Sequence, residues 1–232
     1  MALLMRETVP APVGLAWAGA AGVSGVIGVV AFYRALAVGA MGLVAPLAAL
    51  IGAGMPLIAG LLSGDQPTVT DMAGIGVALL AVVLVSRPAQ DQGLGRGGLG
   101  LAVISGVGFG GYFLCMDQAA SAGVETWWPI VASRSVAIIL AVAAALALRR
   151  LGAVRREASR LMVGAGIADI GGNAFFLMAN AQGSVGIAAV IASQYPAVTV
   201  VLARLVLGER LARIHVAGIV LAFVGIVLIA LP

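Results

Sequence analysis

Two charged residues interrupt apolar runs in which charge is costly. Asp169 lies near the middle of Leu161–Ala181, and Arg134 lies about two turns into Trp127–Leu148. An ionisable side chain deep in hydrocarbon is expensive, so it marks a functional position by default and calls for a named partner. The two runs follow one another in the chain, and pairing would lower the cost of burying either charge. Two readings stand side by side. One is a structural ion pair. The other is a substrate or proton site, with Asp169 carrying the proton and Arg134 as its partner or as a contact for a substrate anion.

Asp169, Asn173, Phe176 and Asn180 are spaced four, three and four apart, which places them on one helical stripe. A polar stripe on an apolar helix should face the bundle interior, either lining a cavity or hydrogen bonding to neighbouring helices. Ser193-Gln194-Tyr195-Pro196 interrupts Val185–Leu207 near its middle. Proline frees a backbone carbonyl and can kink the helix, so Gln194 and Tyr195 become candidates for a midplane pocket. Arg34, late in the first apolar run, is a further candidate, although it is close enough to the interface to snorkel. Asp117 and Glu125 read as interfacial, and Trp127 and Trp128 as an aromatic belt.

Other chemistry is poorly supported. Gly93–Gly98 and Gly106–Gly111 loosely resemble phosphate loops, but neither follows a strand in a strand–helix unit. Small residues there, and at Gly22, Gly25 and Gly28, instead allow close helix approach. His215 is the single histidine and Cys115 the single cysteine, so neither a metal cluster nor a disulfide framework is built from them. No nucleophile–base set is present. The expectation is a protein that is not an enzyme, with no metal and no cofactor.

The elements that must hold these residues are membrane helices. The 232 residues are 62% apolar and 9% charged, whereas soluble domains are about 45–50% apolar and 25% charged. A soluble fold could not cover such a core, but a bilayer removes the need. The net charge of +4 comes with thirteen Arg and no Lys, and reads as an orientation signal rather than nucleic-acid binding. Eight runs approach the ~20 residues a spanning helix needs: Gly14–Gly39, Gly42–Leu62, Met72–Ser86, Gly98–Asp117, Trp127–Leu148, Leu161–Ala181, Val185–Leu207 and Ile214–Leu231.

A repeat organises them. Gly208-Glu209-Arg210 stands 144 positions (208 − 64) after Gly64-Asp65-Gln66, and that offset aligns Ala35–Ser86 with Ala179–Ala230 without a gap. Gly39 meets Gly183, Gly42 meets Gly186, and Ala73-Gly74-Ile75 meets Ala217-Gly218-Ile219. The equivalent helices begin five spans apart and so run in opposite directions, an inverted-topology repeat typical of secondary transporters. The fold expected is all-α: a polytopic membrane bundle of about eight helices from two inverted repeats (3 + 5). Residues 1–90 form an incomplete N-terminal repeat and 91–232 a C-terminal one, with the boundary in the Gly-rich stretch Arg87–Gly98.

GSVGIAAVIASQYPAVTVVLARLVLGERLARIHVAGIVLAFVGIVLIA, with its Gly-Glu-Arg turn, resembles the end of an EamA-type member of the drug/metabolite transporter superfamily. FYRALAVGAMGLVAPLAAL and GDQPTVTDMAGIGVALLAVVLVS resemble the end of that family's first half. The resemblance implies a secondary transporter, an exporter of a small organic metabolite or drug-like solute, coupled to an ion gradient. It implies a pocket between the halves bordered by the Gln194–Tyr195 helix, and a place in the cytoplasmic membrane of a bacterium. Relatives usually have ten helices in two halves of five. Here the first half has three, so two helices at its start look absent. The alternative is therefore a truncated or partner-dependent membrane component without transport of its own. The partners expected are the bilayer and a small-molecule substrate, with a homodimer or a partner half also compatible and no nucleic acid.

Basic residues collect on the cytoplasmic side of membrane proteins. The turns near Ala40, Arg87–Arg96, Arg149–Arg160 and Gly208–Arg213 carry nearly all the interfacial Arg, while the side of the termini has only Arg6. The charge bias places both termini outside the cytoplasm; the resemblance implies both inside.

Overall fold

The computed structural model describes residues 11–38, 41–85, 96–123, 127–149, 156–181, 184–198, 201 and 212–230. Residues 1–10 and most of the expected boundary at Arg87–Gly98 lie outside the described residues.

Helices account for nearly all of the described chain. In order they are α1 (Pro12–Val38), α2 (Met41–Leu62), α3 (Val69–Val85), α4 (Arg96–Ser121), α5 (Trp127–Ala147), α6 (Arg156–Asn180), α7 (Val185–Ala192) and α8 (Arg213–Ala230). Pro12 opens α1, a position where its missing N–H costs nothing. In α1, α2, α4, α5 and α6, stretches of 19 to 27 residues are long and apolar enough to cross a bilayer. The α3 and α8 helices are shorter; at 1.5 Å per residue their 17 and 18 residues reach about 25–27 Å. The chain forms an integral membrane bundle whose apolar outer side chains, such as Ile139, Val163 and Phe223, suit lipid.

Some boundaries depart from the sequence pattern. Helix α3 starts at Val69 because Thr68 and Asp71 bond reciprocally across its first turn: Thr68 N and Oγ1 donate to Asp71 Oδ2 at 2.8 Å, and Asp71 N donates to Thr68 Oγ1. Helix α4 continues to Ser121, so Asp117 sits one turn inside its end. Helix α7 breaks at Ser193–Gln194 and resumes over 195–198, a disruption just ahead of Pro196.

The packing follows the repeat. Met41 and Val69 open α2 and α3, and the residues 144 positions on, Val185 and Arg213, open α7 and α8. Helices α3 and α8 run antiparallel. A Cβ on Gly74 would stand 2.9 Å from the Gly225 carbonyl and strike Ile229, and one on Gly218 would stand 3.2 Å from the Ala81 carbonyl and strike Val85. Advancing Gly74, Ala81 and Val85 by 144 gives Gly218, Gly225 and Ile229. The contact therefore repeats itself with the partners exchanged, as an inverted pair requires. Helices α1 and α4 meet as closely, with Gly108 against the Gly28 backbone and Ser24 Oγ donating to the Gly108 carbonyl at 2.9 Å.

Successive spans alternate in direction. One face of the bundle, the first, therefore holds Pro12, the α2–α3 turn at 63–68, the α4–α5 turn and the α6–α7 junction. The opposite, second face holds the ends of α1, α3 and α5 and the start of α6.

Candidate functional site

At mid-depth, α1, α2, α4, α5, α6 and α7 surround a cavity of about 690 Å³. Its wall is largely apolar, which suits residues drawn from helix faces that elsewhere meet lipid. Aromatic side chains dominate it: Phe32 and Tyr33 from α1, Phe109, Tyr112 and Phe113 from α4, and Tyr195 from the segment after the α7 break. Phe32 is in edge or tilted contact with Tyr33, Phe109 and Tyr195, so these rings form one cluster.

The polar side of the cavity is built by three helices. Arg134 Nη2 of α5 meets Asp169 Oδ2 of α6 at 2.6 Å. Asn173, one turn on from Asp169, donates through Nδ2 to the Asp169 carbonyl at 2.7 Å and to Asp169 Oδ1 at 3.3 Å. Tyr112 donates its hydroxyl to Asn173 Oδ1 at 2.5 Å, and its ring lies 5.9 Å below the Arg134 guanidinium carbon. The network closes on itself: each charge has an opposite charge, and each neutral group orients one of them. Arg134 Nε is buried and donates to no acceptor among the described residues. Both charged side chains keep contact with the cavity, at 33% exposure for Arg134 and 52% for Asp169.

Such an arrangement can do two things. The guanidinium can hold an anionic group in place of Asp169, since Arg presents a fork of donors that matches carboxylate geometry. A proton taken up by Asp169 would release Arg134 for that exchange. The arrangement lacks a nucleophile and a base set to activate one, and no three His, Cys, Asp or Glu side chains come together as a metal site among the described residues.

The sequence-derived candidates divide in two. Asp169, Arg134, Asn173 and Tyr195 all line the cavity, and Tyr195 also reaches the Ala45 carbonyl at 3.4 Å. Asn180, Gln194 and Arg34 do not. Asn180 is buried about two turns beyond Asn173, where Nδ2 donates to Asp117 Oδ1 at 2.9 Å. Gln194 turns toward α3 and donates to the Ala78 and Val190 carbonyls, because the break in α7 points consecutive residues to opposite sides. Arg34 is exposed, and its neighbour Tyr33 takes the place on the wall. Phe176, on the same stripe as Asp169, packs on Phe113 in the core with ring centroids 4.6 Å apart.

Sequence reasoning missed the aromatic wall. Tyr112 and Phe109 sit in the Gly106–Gly111 region, which reads first as a stripe for helix packing. The available signal was that aromatics make up only 5% of the chain, yet Phe109, Tyr112 and Phe113 fall within five residues.

Residues 96–231 match the model of the EamA-like transporter family. A solved structure, described only as a crystal structure of protein, is similar to the chain with a TM-score of 0.80. It shares 17% identity over 99% of this chain and 82% of its own, which speaks for the fold alone. No curated protein matches the sequence.

Proposed function

Because the chain belongs to the EamA-like transporter family, whose members are membrane transporters of the drug/metabolite type rather than enzymes, we propose that it is an ion-coupled secondary transporter that exports a small organic solute. The observation that carries this reading is the Arg134–Asp169 pair facing a mid-depth cavity between the repeats. A volume of about 690 Å³ falls within the ~300–1,000 Å³ usual for small-molecule sites. The rings would cover the apolar part of the solute, and Arg134 would hold an anionic group. Alternating access would rock one repeat against the other around this fixed site. The residues 1–90 and 91–232 would be the two moving units.

The test is transport by the purified chain in liposomes against a panel of metabolites, with and without an imposed proton gradient. Gradient-dependent flux of one solute class supports the proposal. Absence of flux across the panel, from protein that is folded and inserted, defeats it.

One observation favours a second reading, a component that transports only with further membrane helices. Gly22 and Gly28 of α1 are packed tightly against α5 and α4, while the residues 144 positions on, Gly166 and Gly172, have nothing within 4 Å of a would-be Cβ. If α6 uses its glycines as α1 does, another helix covers it. Transport restored only by coexpression with a partner, or only in a homodimer, would favour this reading over the first.

A further inference from the structure

The central cavity is shut toward the first face. On the first-face side lie Met116, Phe176, Leu177 and Val185, all buried in one cluster. On the second-face side, among the described residues, Phe32 packs on buried Ala35, Val44 and Ala102, while Tyr33 and Ile138 are exposed. Above the buried cluster, two hydrogen bonds join segments distant in sequence. Ser184 Oγ donates to Asp65 Oδ2, tying the start of α7 to the α2–α3 turn. Asn180 Nδ2 donates to Asp117 Oδ1 at 2.9 Å, tying the end of α6 to the end of α4. Both acceptors are carboxylates, so both bonds belong to the stronger, charge-assisted kind. A small cavity of about 150 Å³ between them is lined by Asp65, Asp117, Gln118 and Ser184. Gly60 makes room for Asp65: a Cβ there would collide with the carboxylate.

We infer that Asp65–Ser184 and Asp117–Asn180 form a latch that holds the first face closed, and that the repeat does not reproduce it at the second. The inference rests on the transporter reading for its purpose, but its geometry stands alone. The repeat supplies the argument for one-sidedness. Counting 144 positions, the second-face counterparts of Asp65, Ser184, Asn180 and Gly60 are Glu209, Ala40, Leu36 and Arg204. Glu209 keeps the carboxylate, but Ala40 has no hydroxyl to donate and Leu36 has no amide. The symmetric latch cannot form on the second face from these residues. The Asp65–Ser184 bond therefore has no repeat-related equivalent in Glu209 and Ala40, and a difference of this kind between two states sets their populations.

Thiol labelling reads the latch without any substrate. In a Cys115→Ser background, Met116→Cys reports opening of the first face and Val30→Cys reports access from the second. Ser184→Ala and Asn180→Leu should each speed labelling at position 116 about three- to tenfold, the effect of one lost net hydrogen bond, while labelling at position 30 slows. Ser184→Thr keeps the hydroxyl and should label as the parent does. Ala40→Ser, which gives the repeat-related position the hydroxyl that Ser184 has, should slow labelling at position 30. Unchanged labelling at position 116 in folded Ser184→Ala and Asn180→Leu overturns the latch. So does faster labelling at both positions, which would mean general loosening. Sided labelling in a protein that moves no solute would defeat the transport reading and leave the latch standing.

Discussion

Arg134 of α5 and Asp169 of α6 meet at 2.6 Å inside a membrane bundle, yet both side chains remain open to the cavity they share. We propose that this exposure lets the pair work in transport. A solvated ion pair contributes at most about 1 kcal/mol to stability, so folding gains little from it. A pair that water and solutes can reach is instead free to exchange partners. Asn173 holds the Asp169 carboxylate and the Tyr112 ring lies beneath Arg134, so both charges stay oriented.

Asp169→Asn should lower gradient-driven flux at least about tenfold, the size of one lost transition-determining contact of ~1.4 kcal/mol. Folded yield should stay near that of the parent, because the pair is too exposed to hold the bundle together. Flux in liposomes and the thermal midpoint in detergent read the two effects separately. If Asp169→Asn and Arg134→Ala instead lose folded protein to the same extent, the pair is structural, with an uncompensated charge as the damaging state.

Tyr112→Phe removes one hydroxyl and keeps the ring beneath Arg134. It should leave solute affinity within about twofold while reducing flux several-fold, since a lost hydrogen bond is worth about 0.5–1.5 kcal/mol. Tyr112→Leu removes the ring as well and should weaken affinity too. Solute binding by calorimetry, set against flux, distinguishes the two; equal loss of affinity in both variants would contradict the role given to Asn173.

Two glycines on one helix offer an internal control for the repeat interface. A Cβ on Gly74 would press on the Gly225 carbonyl and Ile229, while one on Gly76 would meet nothing within 4 Å. Gly74→Ala should cost about 1–3 kcal/mol through overpacking. Gly76→Ala should be neutral or stabilising by up to about 1 kcal/mol, because alanine is the better helix former. Unfolding in mixed detergent micelles measures both. Equal effects would mean that α3 does not rest on α8 as described.

Much of this was legible because it is local or strictly periodic. Each apolar run is its own signal, and the 144-residue offset fixes which runs correspond. Arg134 and Asp169 could be paired because few charges stand inside apolar runs and each needs a partner. What sequence could not resolve was depth. The stripe from Asp169 to Asn180 names one face, but its 11 residues climb about 16 Å. It therefore leaves the cavity at Asn173 and ends at the first face, where Asn180 meets Asp117. Gln194 failed for another reason: a break in α7 resets the face its residues present, and no helical period survives a break. The aromatic wall gathers from α1, α4 and the segment after α7, so it exists only once those helices are packed.

The last prediction concerns which face meets the cytoplasm. The second face carries Arg149 and, in its connecting stretches outside the described residues, Arg87, Arg150, Arg155 and Arg210, while the first face carries acidic Asp65 and Asp117. Retention of basic turns on the cytoplasmic side then places the second face inside. The ten-helix pattern of the family implies the reverse, with the termini inside. A cysteine at Ala153, also outside the described residues, decides between them in a Cys115→Ser background. It should resist a membrane-impermeant thiol reagent in intact cells and react after lysis. A cysteine at Ser63, in the first-face turn, should behave in the opposite way. Labelling of Ala153→Cys in intact cells would show that the charge bias misleads here and that the orientation the family implies is the right one.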